Sequence, residues 1–229
     1  MGVKGGTVHG TWEDLFWHID KGDYSTEYSL GEEIATVLND NTTFPFQIVA
    51  FNADIISGTS NKAPVTLISS NLYSKHIYNP TYESGVIGTG NIGGWEESDM
   101  RSYLNNTVLG QIPNNVFSRL LTVNKYTRGY NVSDSQVNNM LTTDKIWIPS
   151  YREMHNGIES QGPTYTDYFT DDTKRVKKYN NTNTTYSLRT AYDKSKMYVV
   201  STTGAPSSRT TSSTSCGVAV GICVGGKQT

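Results

Sequence analysis

The sequence predicts an α+β fold in which a mixed sheet carries two or three short helices and long polar loops. Apolar residues at helical spacing occupy only a few short stretches. The other apolar residues fall in short runs bounded by turn residues, and two long segments hold almost no aliphatic side chains. At 229 residues the chain is near the upper size that one hydrophobic core organises. A single domain over 11–229, behind an N-terminal tail of 1–10, is therefore expected.

Trp12, Leu15, Phe16 and Ile19 line one face of a first helix, with Thr11 at its N-cap, Asp14 at the capping-box position and Gly22 at its stop. A short strand is expected from Tyr24 to Leu30. Phe44 to Phe51 and Val65 to Ser69 read as buried strands joined through a polar turn at Gly58 to Asn61, which is a hairpin signature. A glycine-rich loop, Gly85 to Gly94, leads into a second helix from Trp95 to Asn105. Ser98 or Glu97 caps that helix, and Met100, Tyr103 and Leu104 turn inward. A third helix follows Pro113, with Val116, Phe117, Leu120 and Leu121 as its buried face. Strands return at Lys145 to Pro149, Tyr186 to Thr190, Met197 to Ser201 and Gly217 to Val224. Asn156 to Thr185 is rich in Tyr, Asp and Asn, and is expected to be a long exposed excursion. Thr202 to Ser215 is a second polar stretch of low complexity.

Charge excludes some partners. Nineteen basic residues against 21 acidic ones make no excess positive field, so neither nucleic acid nor anionic lipid is expected as a partner. No run of about 18 apolar residues occurs, so membrane insertion is not expected. The first residues lead into His9 and Trp12 without the apolar core of a signal peptide. This favours a virion location, because virion proteins assemble inside the cell and leave by lysis. A bacterial cell surface or secreted location is the alternative.

Chemistry-bearing motifs are sparse. His9, His18, His76 and His155 stand singly, without partners at metal-site spacing. Gly88-x-Gly90-x-x-Gly93 lacks a βαβ context and a downstream ribose-binding acid, so it reads as a loop. Cys216 and Cys223 on one extended strand would lie roughly 23 Å apart, beyond disulfide reach unless the chain turns at Gly217 or Gly221. They read as small buried hydrophobes. Asn39-Asp40-Asn41 and Asp171-Asp172 offer oxygens of the kind calcium takes, but solvated carboxylates are the plainer reading. No metal or cofactor is assigned.

The tyrosines are more informative. Tyr151, Tyr165, Tyr168, Tyr179, Tyr186 and Tyr192 gather with Asn and Thr, the composition of adaptable recognition surfaces. Packing beneath a loop, with hydroxyls at the rim, is the competing explanation. The candidate ligand-binding residues are Tyr165, Tyr168, Phe169, Tyr179, Asp171 and Asp172. Their segment has few aliphatic residues with which to bury itself, so exposure is expected.

Several segments together resemble the DUF6273 family of bacterial and phage proteins. They are Trp95, Ser98, Arg101, Leu104 and Asn105; Ile148, Ser150 and Glu153; Leu188, Arg189 and Thr190; and Gly217, Val218 and Val220. Their order is also similar to that of formylglycine-generating-enzyme and C-type-lectin-like domains. The resemblance implies a C-type-lectin-like domain in which Trp95, Arg101 and Arg189 are structural, the two arginines being largely buried against carbonyls or carboxylates. The oxidase activity of formylglycine-generating enzymes rests on a close cysteine pair, and the spacing of Cys216 and Cys223 does not match it. The function expected is non-catalytic: a phage virion or surface module that recognises a host-surface glycan or protein. It would be oligomeric and associate with other virion or surface proteins. The alternatives are an enzyme of the formylglycine-generating superfamily and an architectural capsid or tail decoration protein.

Overall fold

The computed structural model describes residues 8–79, 90–131, 133 and 135–227. Residues 85–89 of the Gly85 to Gly94 loop and residues 1–7 of the expected tail lie outside them. The architecture is α+β, with two five-stranded sheets, two hairpins and a few short helices.

Helix α1, Trp12–Lys21, forms where its apolar spacing predicts. Thr11 Oγ1 accepts from the Asp14 amide, and Gly22 closes the helix at φ 82°, a left-handed value that glycine adopts without strain. The segment that follows differs from expectation. Tyr24–Glu27 is a helical turn, α2, because the amides of Thr26 and Glu27 bond back to the Asp23 carbonyl. Helix α3, Asp99–Tyr103, has Ser98 as its cap, and α4 is Asn114–Phe117. Val116, Leu120 and Leu121 are buried, but Phe117 is 40% exposed, which corrects its place on the inner face. Two further short helices, α5 (Tyr151–His155) and α6 (Asp172–Arg175), were not expected.

The strands in chain order are β1 Glu33–Ile34, β2 Phe46–Phe51, β3 Val65–Ser69, β4 Lys75–Ile77, β5 Val123–Tyr130, β6 Gln136–Asp144 and β7 Ile146–Trp147. They continue with β8 Lys178–Tyr179, β9 Thr182–Asn183, β10 Tyr186–Ala191, β11 Lys196–Val200, β12 Pro206–Thr210, β13 Ser215–Gly217 and β14 Gly221–Val224. One sheet runs β1-β2-β3-β14-β7 and is antiparallel throughout. The other runs β12-β11-β10-β13-β4 and is mixed, since β10 and β13 pair in parallel. Strands β5 and β6 form one separate hairpin, and β8 and β9 form another.

The single last strand expected from Gly217 to Val224 is instead two, β13 in the mixed sheet and β14 in the antiparallel one. Buried Val218, Ala219 and Val220 connect them, so one apolar run crosses between the sheets. A Cβ at Gly217 would press on the Leu72 side chain, and one at Gly221 would come within 2.6 Å of the Trp147 ring, so a larger residue at either crossing point would displace a buried side chain. Cys216 and Cys223 consequently lie in different sheets, both buried and both free thiols.

The polar 156–185 segment is not the exposed excursion expected. Tyr165, Tyr168 and Phe169 are 1%, 7% and 0% exposed, packed in a second core cluster with Met154, Tyr186 and Leu188. Buried Arg175 ties the segment down by donating to the Met154 and Phe169 carbonyls, both at 2.7 Å. Aromatic rings and one arginine do there what aliphatic residues do elsewhere.

Candidate functional site

The residues of the Trp95 segment converge on one carboxylate. Trp95 Nε1 and Arg101 Nε donate to the two oxygens of Asp144 at 3.1 and 2.7 Å, and Thr142 donates to the same carboxylate at 2.6 Å. Arg101 also reaches the Glu96 and Thr143 carbonyls, and its side chain keeps 26% of its surface in solvent. Trp95 and Asp144 are fully buried. These contacts dock α3 on the end of β6.

The Ile148 and Leu188 segments meet in a buried charged cluster. Ser150 and Glu153 form a reciprocal capping box on α5. The same Glu153 carboxylate accepts both terminal nitrogens of Arg189 at 2.7 Å. Arg189 Nε donates to Thr127, and one terminal nitrogen also reaches the Ile148 carbonyl. Lys125, wholly buried over the Trp147 ring, donates to Asp54 at 2.6 Å, Glu153 at 3.1 Å and Tyr165 at 2.9 Å. Two cations thus face two carboxylates without solvent. Burial alone would raise the Glu153 pKa, but Arg189 and Lys125 outweigh it and hold the carboxyl well below its ordinary range. Burial, then the charges of Asp54 and Glu153, push the Tyr165 phenol far above its own. With its donors and acceptors mutually bonded and each of Asp54, Lys125, Glu153, Tyr165 and Arg189 no more than 2% exposed, the cluster is structural in character.

This placement revises the expected site. Tyr165 belongs to the charged cluster, and Tyr168 and Phe169 to the aromatic core, so none presents a face to solvent. Asp171 is exposed but caps α6, accepting from the Thr173 and Lys174 amides, and Asp172 pairs with Arg175 at 3.0 Å. Among the described residues, no group of three or more His, Cys, Asp or Glu side chains is placed to hold a metal ion. Tyr179 lines an open cleft, whereas Tyr165 and Tyr168 reach two other surface cavities only by edges that are 1% and 7% exposed.

That cleft measures about 530 Å³. One wall is the β8–β9 hairpin, whose two-residue turn, Asn180-Asn181, has φ of 49° and 61°. Positive φ at both positions is the backbone that matches strand twist in tight hairpins, and asparagine tolerates it better than most residues. The Leu72 amide donates to the Lys178 carbonyl at 2.9 Å, fixing the hairpin against the Asn71–Ser74 wall. The third wall is the segment from Asp40 to Phe44, which packs Phe44 edge-on to Tyr73 at 5.6 Å. Asn71, Asn180 and Asn181 offer amides, Thr42, Thr43 and Ser74 offer hydroxyls, and Tyr73 and Tyr179 offer aromatic surface. Asp40 and Lys178 add one charge of each sign. Asparagines in a tight turn were the signal for this wall; nothing in the local sequence showed which segments would face it.

A family described as a domain of unknown function, DUF6273, matches residues 65–226, more than half of the chain. The chain belongs to the DUF6273 family. Neither a curated protein nor a solved structure matches it. The DUF6273 stretch contains Trp95, Arg101, Asp144, Glu153 and Arg189, and so holds both carboxylate-centred clusters except for Asp54. It supplies the Asn71–Ser74 and Lys178–Asn181 walls of the cleft, whereas Asp40 to Phe44 come from outside it. The cleft therefore lies at the seam between the DUF6273 region and the N-terminal segment packed on it.

Proposed function

We propose that this DUF6273 protein is a non-catalytic recognition module of a phage virion or bacterial surface, with a C-type-lectin-like arrangement, and that its cleft binds a saccharide. The observation that carries the reading is the lining of that cleft. Amides, hydroxyls and one carboxylate surround two tyrosines, which is the chemistry that exchanges hydrogen bonds with sugar hydroxyls and stacks on a pyranose face. Support also comes from the cysteines. Burial raises the thiol pKa of both Cys216 and Cys223, opposite to what a reactive thiol needs.

The test is a titration of isotope-labelled protein with neutral and acidic oligosaccharides, read by NMR. Amide shifts are expected at Asn71, Tyr73, Tyr179, Asn180 and Asn181. Tyr179→Ala should weaken binding at least about tenfold, the loss of one stacking face. Shifts confined to another surface would refute the assignment of the cleft.

A further inference from the structure

A smaller cavity of about 350 Å³ adjoins the cleft and shares Asn71 and Lys178 with it. Lys174, Lys177 and Lys178 line it against one carboxylate, Glu33. Lys177 is only 3% exposed. Its ammonium donates to the Ser69 carbonyl at 2.5 Å, and it makes no ion pair within 4.0 Å among the described residues. An ammonium has three donors, so two are left over. The contrast with the other buried lysine is direct: Lys125 bonds two carboxylates and a phenol. In the same cavity the Ser70 hydroxyl is buried and has no hydrogen-bond partner among the described residues.

A buried cation without a counter-ion is costly unless something compensates it. We propose that this cavity is an anion subsite, in which Lys177 and Ser70 receive the carboxylate or phosphate of a charged saccharide seated in the neighbouring cleft. The proposal rests on the saccharide reading of the cleft and narrows it to acidic sugars. Lys177 and Ser70 complete their hydrogen bonding on the incoming oxyanion. The exposed lysines Lys174 and Lys178 add a positive field, and the charge of Glu33 opposes the effect of burial on Lys177. Burial lowers the Lys177 pKa to about 8, so the side chain is still mostly ammonium at pH 7.

The experiment compares glucose, glucuronate, glucose 6-phosphate and inorganic phosphate as probes of the full chain at pH 7, by NMR titration. The charged sugars should bind at least about tenfold more tightly than glucose. Lys177→Met and Ser70→Ala should each reduce that preference, with Lys177→Met abolishing it, and leave glucose affinity unchanged. Whether glucuronate or glucose 6-phosphate is preferred separates a carboxylate source from a phosphate source. Equal affinity for glucose and both charged sugars, or a preference that survives Lys177→Met, overturns the subsite while leaving the cleft reading intact. Phosphate binding that is lost in Lys177→Met, with no sugar bound, would support the subsite and overturn the saccharide reading. No binding by any probe overturns both.

Discussion

Two buried cations in this protein do opposite things. Arg189 is matched: two nitrogens on Glu153, one on Thr127 and a carbonyl at Ile148. Arg189→Ala strands the Glu153 carboxylate without its main counter-charge and should cost about 3–5 kcal/mol, measured by denaturant unfolding. An unchanged midpoint would contradict the structural role. Lys177 has no carboxylate within ion-pair distance among the described residues and bonds only the Ser69 carbonyl, and its folded pKa of about 8 lies below the ordinary lysine value of 10.5. Below about pH 8 it is charged in both folded and unfolded chains, so the burial penalty is fully present. Between about 8 and 10.5 the unfolded chain holds more protons, and stability rises with pH. Lys177→Met should therefore stabilise the protein by about 1–3 kcal/mol at pH 7, with the gain shrinking towards pH 10.5. Thermal melts at both ends of that range check the sign. His155 titrates on the acid side. Burial, then the positive charge of Arg175, lowers its pKa to about 4, so the folded chain resists protonation that the unfolded chain accepts near 6.5. Its contribution is present above about pH 6.5 and is lost as pH falls towards 4. His155→Gln should flatten the loss of stability in that window.

At the scale of elements, what was legible followed the physics of apolar periodicity. Helix α1 and the β2–β3 pair stand where Trp12, Leu15 and Phe16, and the apolar runs at Phe46 and Val65, put them. The β5–β6 hairpin was invisible because Lys125 and Thr127 occupy its inward positions, serving the charged cluster in place of aliphatic residues. Tyr165 and Phe169 misled for the converse reason: an aromatic side chain amid Asn and Asp reads as a displayed contact, yet here it is the burial device of its segment. The one expected site residue that reaches the cleft, Tyr179, sits beside a turn whose backbone can be tested. Asn181→Gly, at φ 61°, should change stability by no more than about 0.5 kcal/mol, whereas Asn180→Val, at φ 49°, should cost about 1–2 kcal/mol. Equal melting temperatures for the two variants would mean the hairpin does not hold this turn.

At the scale of the molecule, the crossing of 215–224 between sheets brings the mixed and antiparallel sheets into one structure, and the cleft lies where the β3–β4 connection meets the β8–β9 hairpin. The residues that carry the resemblance fall in two clusters of the DUF6273 region, Trp95 and Arg101 both donating to Asp144 and Arg189 donating to Glu153. The resemblance did not locate the cleft, which is assembled from three segments distant in sequence and partly outside the matched stretch. Recognition is proposed to reside in this cleft and not in the buried aromatic segment. The most direct test is the saccharide affinity of folded Tyr179→Ser beside that of folded Tyr165→Phe. Tyr165→Phe removes a phenol bonded to Asp54 and Lys125, so it should lower the melting temperature while leaving affinity unchanged. Tyr179→Ser should weaken affinity at least about tenfold with little change in melting. Unchanged affinity in Tyr179→Ser, with a loss in folded Tyr165→Phe, would contradict the claim.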